Sequence, residues 1–118
     1  ETAQVNEMKK VSSLYYNHIK KNMALESDVT ISYSILRPMK SRDKYSLDPY
    51  NTYDTKNYKL KLPPTPINSP GLDAIEASIY PEKTDYLFMF SPVAVETHFF
   101  TKTYESHKAV IDSIKALQ

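Results

Sequence analysis

Only one glycine, Gly71, is present in this chain of 118 residues, and its scarcity limits which ligand sites the chain can build. Loops that cradle phosphates and turns that bind dinucleotides need several glycines, because side chains would keep the backbone away from the ligand. The glycine count therefore excludes Walker-type nucleotide hydrolases and Rossmann enzymes. Cysteine is absent, which removes thiolate zinc sites, iron–sulfur clusters and cysteine nucleophiles.

Length and charge are typical of one ordinary globular domain. With 41% hydrophobic and 25% charged residues, we expect residues 1–118 to form a single domain that folds without disulfides or metals. The net charge of +1 is too small for a nucleic-acid binder. No stretch approaches the roughly 18 apolar residues of a membrane span, and the first residues lack the order of a signal peptide. Because the chain starts at Glu1 without methionine, we expect a longer parent protein.

Apolar residues at three- and four-residue steps predict amphipathic helices at both ends of the chain. The first series comprises Val5, Met8, Val11, Tyr15, Ile19 and Met23. The last series comprises His107, Val110, Ile111, Ile114 and Leu117, and it predicts a helix that begins near Thr103. Residues 24–36 mix helix and strand formers, so a short helix and an extended segment both stay open there.

A short helix and a hairpin are predicted in the second half of the chain. Ser69 and Pro70 have the residue types of an N-cap and a first helical position. They precede a stripe that we expect to be buried: Leu72, Ile75 and Ile79. Residues 86–90 and 96–101 predict two antiparallel strands.

The segment from Pro38 to Pro70 has neither helical nor strand periodicity, and it carries six prolines and four tyrosines. Loops of this length are uncommon in compact domains and are often functional when they occur. With the predicted helices and hairpin, the segment indicates an α+β fold class: a helix-dominated small domain with a β-hairpin and a long Pro/Tyr-rich ordered loop.

Several motifs follow one another along the chain. Residues 50–53 are Tyr-Asn-Thr-Tyr, residues 62–67 are Leu-Pro-Pro-Thr-Pro-Ile, and residues 83–87 are Lys-Thr-Asp-Tyr-Leu. His-Phe-Phe follows at 98–100 and Thr-Tyr-Glu-Ser-His at 103–107. In order and spacing, this set resembles the C-terminal part of the catalytic domain of the MltG (YceG-like) endolytic murein transglycosylases, over the chain from Glu1 to about Val110.

The chain departs from the pattern of that family at a few positions. His18 stands where the family usually has arginine, and Thr65 replaces the glycine of a Leu-Pro-Pro-Gly motif. Glu26 and Val29 replace a glutamine and a proline. These departures bear on how substrate is positioned more than on the acid itself.

The resemblance implies a lytic reaction that cleaves glycan strands after N-acetylmuramic acid and leaves 1,6-anhydro ends. It implies that Glu1 is the single general acid/base, since one carboxylate can give a proton to the leaving oxygen and take one from the sugar's own C6 hydroxyl. Such a glutamate must hold a proton near neutral pH, which burial against apolar walls favours. The residues that it implies for substrate binding are Asp28, Tyr50, Asn51, Thr52, Tyr53, Pro63 and Pro64.

Each implied binding residue also has a structural interpretation, which stays open. The tyrosines are typical of half-buried core residues with a satisfied hydroxyl. Asn51 has the residue type of a turn that bonds its own backbone. Asp28 has the residue type of a helix or turn cap.

No metal or cofactor is expected, because His18, His98 and His107 lie on unlike elements without carboxylates at metal-ligand spacing. A serine nucleophile is not indicated, because the chain lacks the glycines of a nucleophile elbow. The family has also carried the label aminodeoxychorismate lyase, which the sequence does not support. The resemblance implies peptidoglycan glycan strands as substrate and wall-synthesis enzymes as neighbours. It also implies an N-terminal membrane anchor in the parent, which would act on the extracytoplasmic face of the bacterial cell membrane.

Two further functional classes stay open beside the enzyme. The first is a non-catalytic module of the same fold that binds wall glycan or serves as a scaffold. The second, a nucleic-acid binder built on residues 56–61, is disfavoured by the charge balance. We also expect this chain alone to have weak or no activity, because a free α-amino group beside the Glu1 carboxylate would favour the ionised form.

Overall fold

The computed structural model describes residues 4–53, 62–91 and 98–117. Within these residues the chain forms four α-helices: α1 (Val5–Lys20), α2 (Asp28–Ile35), α3 (Leu72–Ile79) and α4 (Tyr104–Leu117). Two short strands, β1 (Phe88–Phe90) and β2 (Phe99–Thr101), pair antiparallel, and a 3-10 turn covers Ser41–Tyr45. The predicted α+β class, dominated by helix and containing a hairpin, is confirmed. Residues 54–61 of the long loop and 92–97 of the hairpin lie outside the described residues.

The chain divides into two compact units. The first unit comprises residues 1–17 and 70–118, and the second comprises residues 18–69. The single domain expected from chain length stays a prediction. No helix among the described ranges is both long and apolar enough to cross a membrane.

The hairpin of β1 and β2 belongs to the first unit. Its register pairs Phe88 with Thr101, Met89 with Phe100, and Phe90 with Phe99. Because side chains alternate between faces along a strand, Phe88 and Phe100 belong to opposite faces. The Phe88 ring stacks on His107 of α4, with centroids 5.2 Å apart, so α4 covers the Phe88 face.

Helix α1 is hydrogen-bonded to the segment that leads into β1. The Asn17 side chain donates to the carbonyl oxygens of Thr84 and Tyr86, each at 2.9 Å. The hydroxyls of Ser13 and Thr84 lie 2.7 Å apart, and the Glu82 backbone N–H donates to the Lys9 carbonyl at 3.2 Å. These bonds satisfy backbone groups that would otherwise be unpaired, and they align the strand with the helix.

The buried face of α1 differs from the predicted apolar series. Val5 and Ile19 belong to that series but are 57% and 43% exposed. The buried residues of α1 are Glu7, Val11, Ser13, Leu14 and His18. Three of these five are polar or ionisable, so a count of apolar residues does not detect this face. The helix also ends at Lys20, before the predicted Met23, because the chain turns at Asn22 with φ 59° and the Met23 N–H bonds the His18 carbonyl at 2.8 Å.

The start of α3 lies two residues later than predicted. Gly71, with an extended backbone at φ −75° and ψ 174°, is the N-cap residue, in place of the predicted Ser69. Its carbonyl accepts the Ile75 N–H at 3.1 Å, which closes the first turn.

The buried stripe predicted for α3 is wrong. Ala77 is the buried residue of this helix, while the three branched side chains are exposed: Leu72, Ile75 and Ile79. A small residue on the buried side lets the helix backbone approach its neighbours closely. Tyr16 of α1 donates from its hydroxyl to the Ser78 carbonyl at 2.6 Å.

Residues 24–36, for which a short helix and an extended segment were both open, contain helix α2. Ile31 is fully buried, and the helix ends at Leu36 in a left-handed conformation with φ 59°. The next turn is held by Asp43, whose two carboxylate oxygens each accept from the Arg37 guanidinium at 2.9 Å. These bonds, with a third from the Lys40 backbone N–H, lower the pKa of Asp43 to about 2.

Candidate functional site

The second unit brings together most of the side chains implied for substrate binding. They lie on the first turn of α2, on the Tyr-Asn-Thr-Tyr segment at 50–53, and on the proline motif that begins at Leu62. Glu1 lies outside the described residues, so its role as the acid stays a prediction.

Tyr53 and Asp28 form a polar pair at the surface of this unit. The Tyr53 hydroxyl donates to Oδ1 of Asp28, the first residue of α2. The ammonium nitrogen of Lys44 lies 5.1 Å from the centroid of the Tyr53 ring, within cation–π range. The N-cap residue of α2 is Ser27, and the carboxylate of Asp28 bonds tyrosine rather than capping the helix. Tyr53, Asp28 and Lys44 together place a ring, a carboxylate and an ammonium group side by side.

Tyr50 joins the proline motif to α2. Its hydroxyl lies 2.7 Å from Oγ1 of Thr65, and its ring lies 5.3 Å from the Tyr33 ring of α2 at a tilt of 53°. Pro63 is half-buried and Pro64 is exposed. The motif pattern predicts glycine at the position of Thr65, and the Thr65 hydroxyl supplies a bond that glycine cannot make.

Asn51 is completely buried, and its amide bonds the backbone of its own loop. Nδ2 donates to the carbonyls of Lys44 at 3.1 Å and Ser46 at 2.7 Å. Oδ1 accepts the Tyr53 N–H at 3.0 Å, which is the side-chain-to-backbone bond of an Asx turn. These contacts agree with the interpretation of Asn51 as a turn residue that bonds its own backbone. Through them, Asn51 positions Tyr53.

Thr52 is also buried, and it ties the same segment to the start of α2. Its hydroxyl accepts the Ser27 N–H at 2.8 Å and lies 3.2 Å from the Thr30 hydroxyl. Its carbonyl accepts the Glu26 N–H at 3.3 Å, where Glu26 takes a left-handed φ of 52°. Direct contact of Asn51 or Thr52 with substrate stays a prediction. Their hydrogen bonds position the half-buried tyrosines beside them, Tyr50 and Tyr53.

Three residues of this surface carry no distinct functional signal in the sequence. Tyr33 and Lys44 were unremarkable in the sequence, because only the fold places them against the rings of Tyr50 and Tyr53. Thr65 was visible only as a departure from a motif. Among the described residues, no group of three or more His, Asp or Glu side chains is arranged to hold a metal ion.

Comparisons with known proteins agree with the motifs. The chain is 36% identical over 111 residues to an endolytic murein transglycosylase of Bacillus subtilis, a match that covers 91% of this chain and 29% of that protein. It is 30% identical over 115 residues to an endolytic murein transglycosylase of Streptococcus pneumoniae, covering 91% of this chain and 20% of that protein. The chain thus spans less than a third of the length of these relatives.

A solved structure shares the fold. The crystal structure of a yceG-like protein from Listeria monocytogenes superposes with a TM-score of 0.78 at 34% identity, covering 86% of this chain and 33% of the other. Residues 1–113 match the sequence profile of the YceG-like family. The predicted resemblance is confirmed, and the chain belongs to the YceG-like family.

Proposed function

We propose that this chain is part of a peptidoglycan lytic transglycosylase and that the surface around Tyr50 and Tyr53 binds the glycan strand. The main support is the similarity to two proteins named endolytic murein transglycosylase over 91% of this chain. The arrangement of the second unit is compatible with that role. Two buried polar residues, Asn51 and Thr52, hold a segment whose tyrosines are only half-buried.

The chemistry of this surface suits a sugar. The C–H faces of a pyranose ring are apolar and pack on aromatic rings, while its hydroxyl and acetamido groups form hydrogen bonds. Tyr50 and Tyr53 supply rings, and Asp28 and Lys44 supply an acceptor and a donor beside them. Rigid tyrosines also lose little conformational entropy on binding, which favours affinity.

In the proposed reaction Glu1 acts as both acid and base. Its carboxylic acid gives a proton to the glycosidic oxygen as the C1–O bond breaks. The resulting carboxylate takes the proton of the C6 hydroxyl as the oxygen of that hydroxyl bonds C1. The products are a 1,6-anhydro-N-acetylmuramic acid end and a new free chain end, and no water is consumed. A single carboxylate is sufficient because the nucleophile belongs to the substrate.

The cellular setting is part of the same proposal. The parent protein carries an N-terminal membrane anchor and acts on nascent glycan strands at the extracytoplasmic face of the membrane, beside wall-synthesis enzymes. The chain alone has weak or no activity, because Glu1 then carries a free α-amino group.

Mass spectrometry of purified glycan strands tests the reaction. We expect the full-length parent to generate anhydro ends, the Glu1→Gln variant to generate none while still binding glycan, and Glu105→Gln, an exposed carboxylate on α4, to behave as the wild type. Unchanged anhydro product from Glu1→Gln would show that Glu1 is not the acid. Glycan binding without anhydro product from the wild-type parent would instead support the scaffold function.

A further inference from the structure

A buried carboxylate–histidine pair lies in the first unit. Glu7 is in the first turn of α1, and His98 directly precedes β2. Both oxygens of the Glu7 carboxylate lie 3.0 Å from the His98 backbone nitrogen, and Oε2 also lies 3.0 Å from Nδ1 of the imidazole. Their side chains are only 8% and 9% exposed. The pair spans 91 positions of sequence, so the fold alone brings it together.

The geometry selects one form of the imidazole. An ionised carboxylate can only accept hydrogen bonds, so Nδ1 of His98 carries the hydrogen that faces Glu7. The bond to the backbone N–H fixes the carboxylate in place, and this in turn fixes the plane of the ring. Nε2 points away from Glu7 and has no hydrogen-bond partner in the described ranges 4–53, 62–91 and 98–117.

Stability alone is a weak reason for such a pair. Buried ion pairs and polar pairs often stabilise a protein no more than apolar residues of similar volume. Among the described residues, the buried side-chain nitrogen or oxygen atom without a partner is Oγ1 of Thr101, so Nε2 of His98 is open to solvent. A histidine with Nδ1 held by a carboxylate and Nε2 open to solvent can direct Nε2 toward a ligand. The pair therefore indicates a binding role for Nε2.

Aromatic rings beside His98 indicate the class of ligand. The His98 ring lies 6.1 Å from the Phe100 ring, which lies 5.4 Å from the Tyr86 ring. Phe100 belongs to the hairpin face opposite the Phe88 face that α4 covers. With their backbone included, the residues His98, Phe100 and Tyr86 are each half-buried. Ring faces next to one directed hydrogen-bonding nitrogen suit a saccharide, which is apolar on its C–H faces and polar at its edges.

We propose that Nε2 of His98 binds a hydroxyl or acetamido group of the wall glycan, and that Glu7 is the positioning residue that sets the orientation and tautomer of His98. This inference rests on the proposed function, because it takes the glycan strand as the ligand. It assigns a binding contact to the first unit, in addition to the tyrosine surface of the second.

The pairing of Glu7 with His98 is tested first, by ¹⁵N NMR of the two imidazole nitrogens of His98. In the wild-type chain, we expect the ¹⁵N shifts of His98 to show hydrogen on Nδ1. In Glu7→Gln, we expect that preference to weaken, because the glutamine amide can donate as well as accept. An Nε2–H tautomer in the wild type, or unchanged His98 shifts in Glu7→Gln, would overturn the assignment.

Titration with a tetrasaccharide of alternating N-acetylglucosamine and N-acetylmuramic acid tests the binding role. The full-length parent is used in parallel, so that sites outside this chain are present. We expect the His98 Nε2 shift to move and His98→Phe to bind about 3- to 10-fold more weakly, the effect of one lost hydrogen bond. His107→Gln is the matched control, since His107 stacks on the other hairpin face, and its affinity should equal that of the wild type.

The outcomes separate this inference from the proposed function. Amide NMR spectra first establish that His98→Phe and His98→Gln are folded. If both variants bind the tetrasaccharide as well as the wild type does, His98 is not a binding residue, and the transglycosylase proposal survives. If neither chain nor parent binds the tetrasaccharide, the inference is overturned. If the parent also produces no anhydro ends, the proposed function is overturned with it.

Discussion

Replacing Asn51 with alanine should destabilise the second unit strongly, because the lost amide leaves three backbone groups unpaired. These are the carbonyls of Lys44 and Ser46 and the N–H of Tyr53. A buried polar group without a partner costs about 1 to 3 kcal/mol. The lower end applies here, because Lys44 is exposed and Ser46 only half-buried, so water reaches part of the site. We therefore expect a loss of roughly 3 kcal/mol in the free energy of unfolding.

Urea denaturation followed by circular dichroism measures this loss, with Asn68→Ala as the matched control because Asn68 is exposed. Amide exchange gives a second readout: the Tyr53 N–H should exchange about 100-fold faster or more in Asn51→Ala, the factor that corresponds to roughly 3 kcal/mol. A destabilisation below about 0.5 kcal/mol, within the range of ordinary surface substitutions, would refute the positioning role. If glycan affinity nevertheless fell, Asn51 would instead contact the substrate.

Two further predictions concern pH. The pKa of Asp43 is lowered to about 2 by the hydrogen bonds from Arg37, so its contribution to stability is complete above its ordinary value of 3.8 and is lost as the pH falls toward 2. The melting temperature of Asp43→Asn should therefore fall less than that of the wild type between pH 5 and pH 2, and parallel curves would contradict this. Burial lowers the pKa of His107 below its ordinary value of 6.5, so the folded protein favours the neutral ring and loses stability as protonation begins below that value. His107→Phe keeps a ring against Phe88, and its melting temperature should depend less on pH between 7 and 5 than that of the wild type. Differential scanning calorimetry measures this dependence. A dependence equal to that of the wild type would count against burial of His107 as the cause.

Part of the candidate site was predictable from the sequence. The Tyr-Asn-Thr-Tyr segment, the proline motif and Asp28 were identified as a set, and the described residues place Tyr53 on Asp28 and Tyr50 on Thr65. Which side chains of this set lie at the surface and which hold the backbone of the loop was not predictable. Whether a side chain such as Asn51 faces outward or into its own turn depends on which carbonyls surround it.

Local features of the fold were determined by the sequence. Helix α4 starts at Tyr104, beside the predicted Thr103, and the hairpin pairs residues inside the predicted strands. Helix and strand periods, and proline or glycine at their ends, act through neighbours a few positions apart. The family motifs are also local runs of residues, so the resemblance could be identified without coordinates.

Tertiary structure alone decided which faces are buried and which side chains meet. The branched residues of α3 that looked like a core stripe are exposed, and Glu7 and His18 occupy the buried face of α1. Glu7 is buried because it meets His98, 91 positions away, and its hydrogen bonds offset the cost of removing a carboxylate from water. Burial depends on partners that are distant along the chain, and a period of 3.6 residues does not identify those partners.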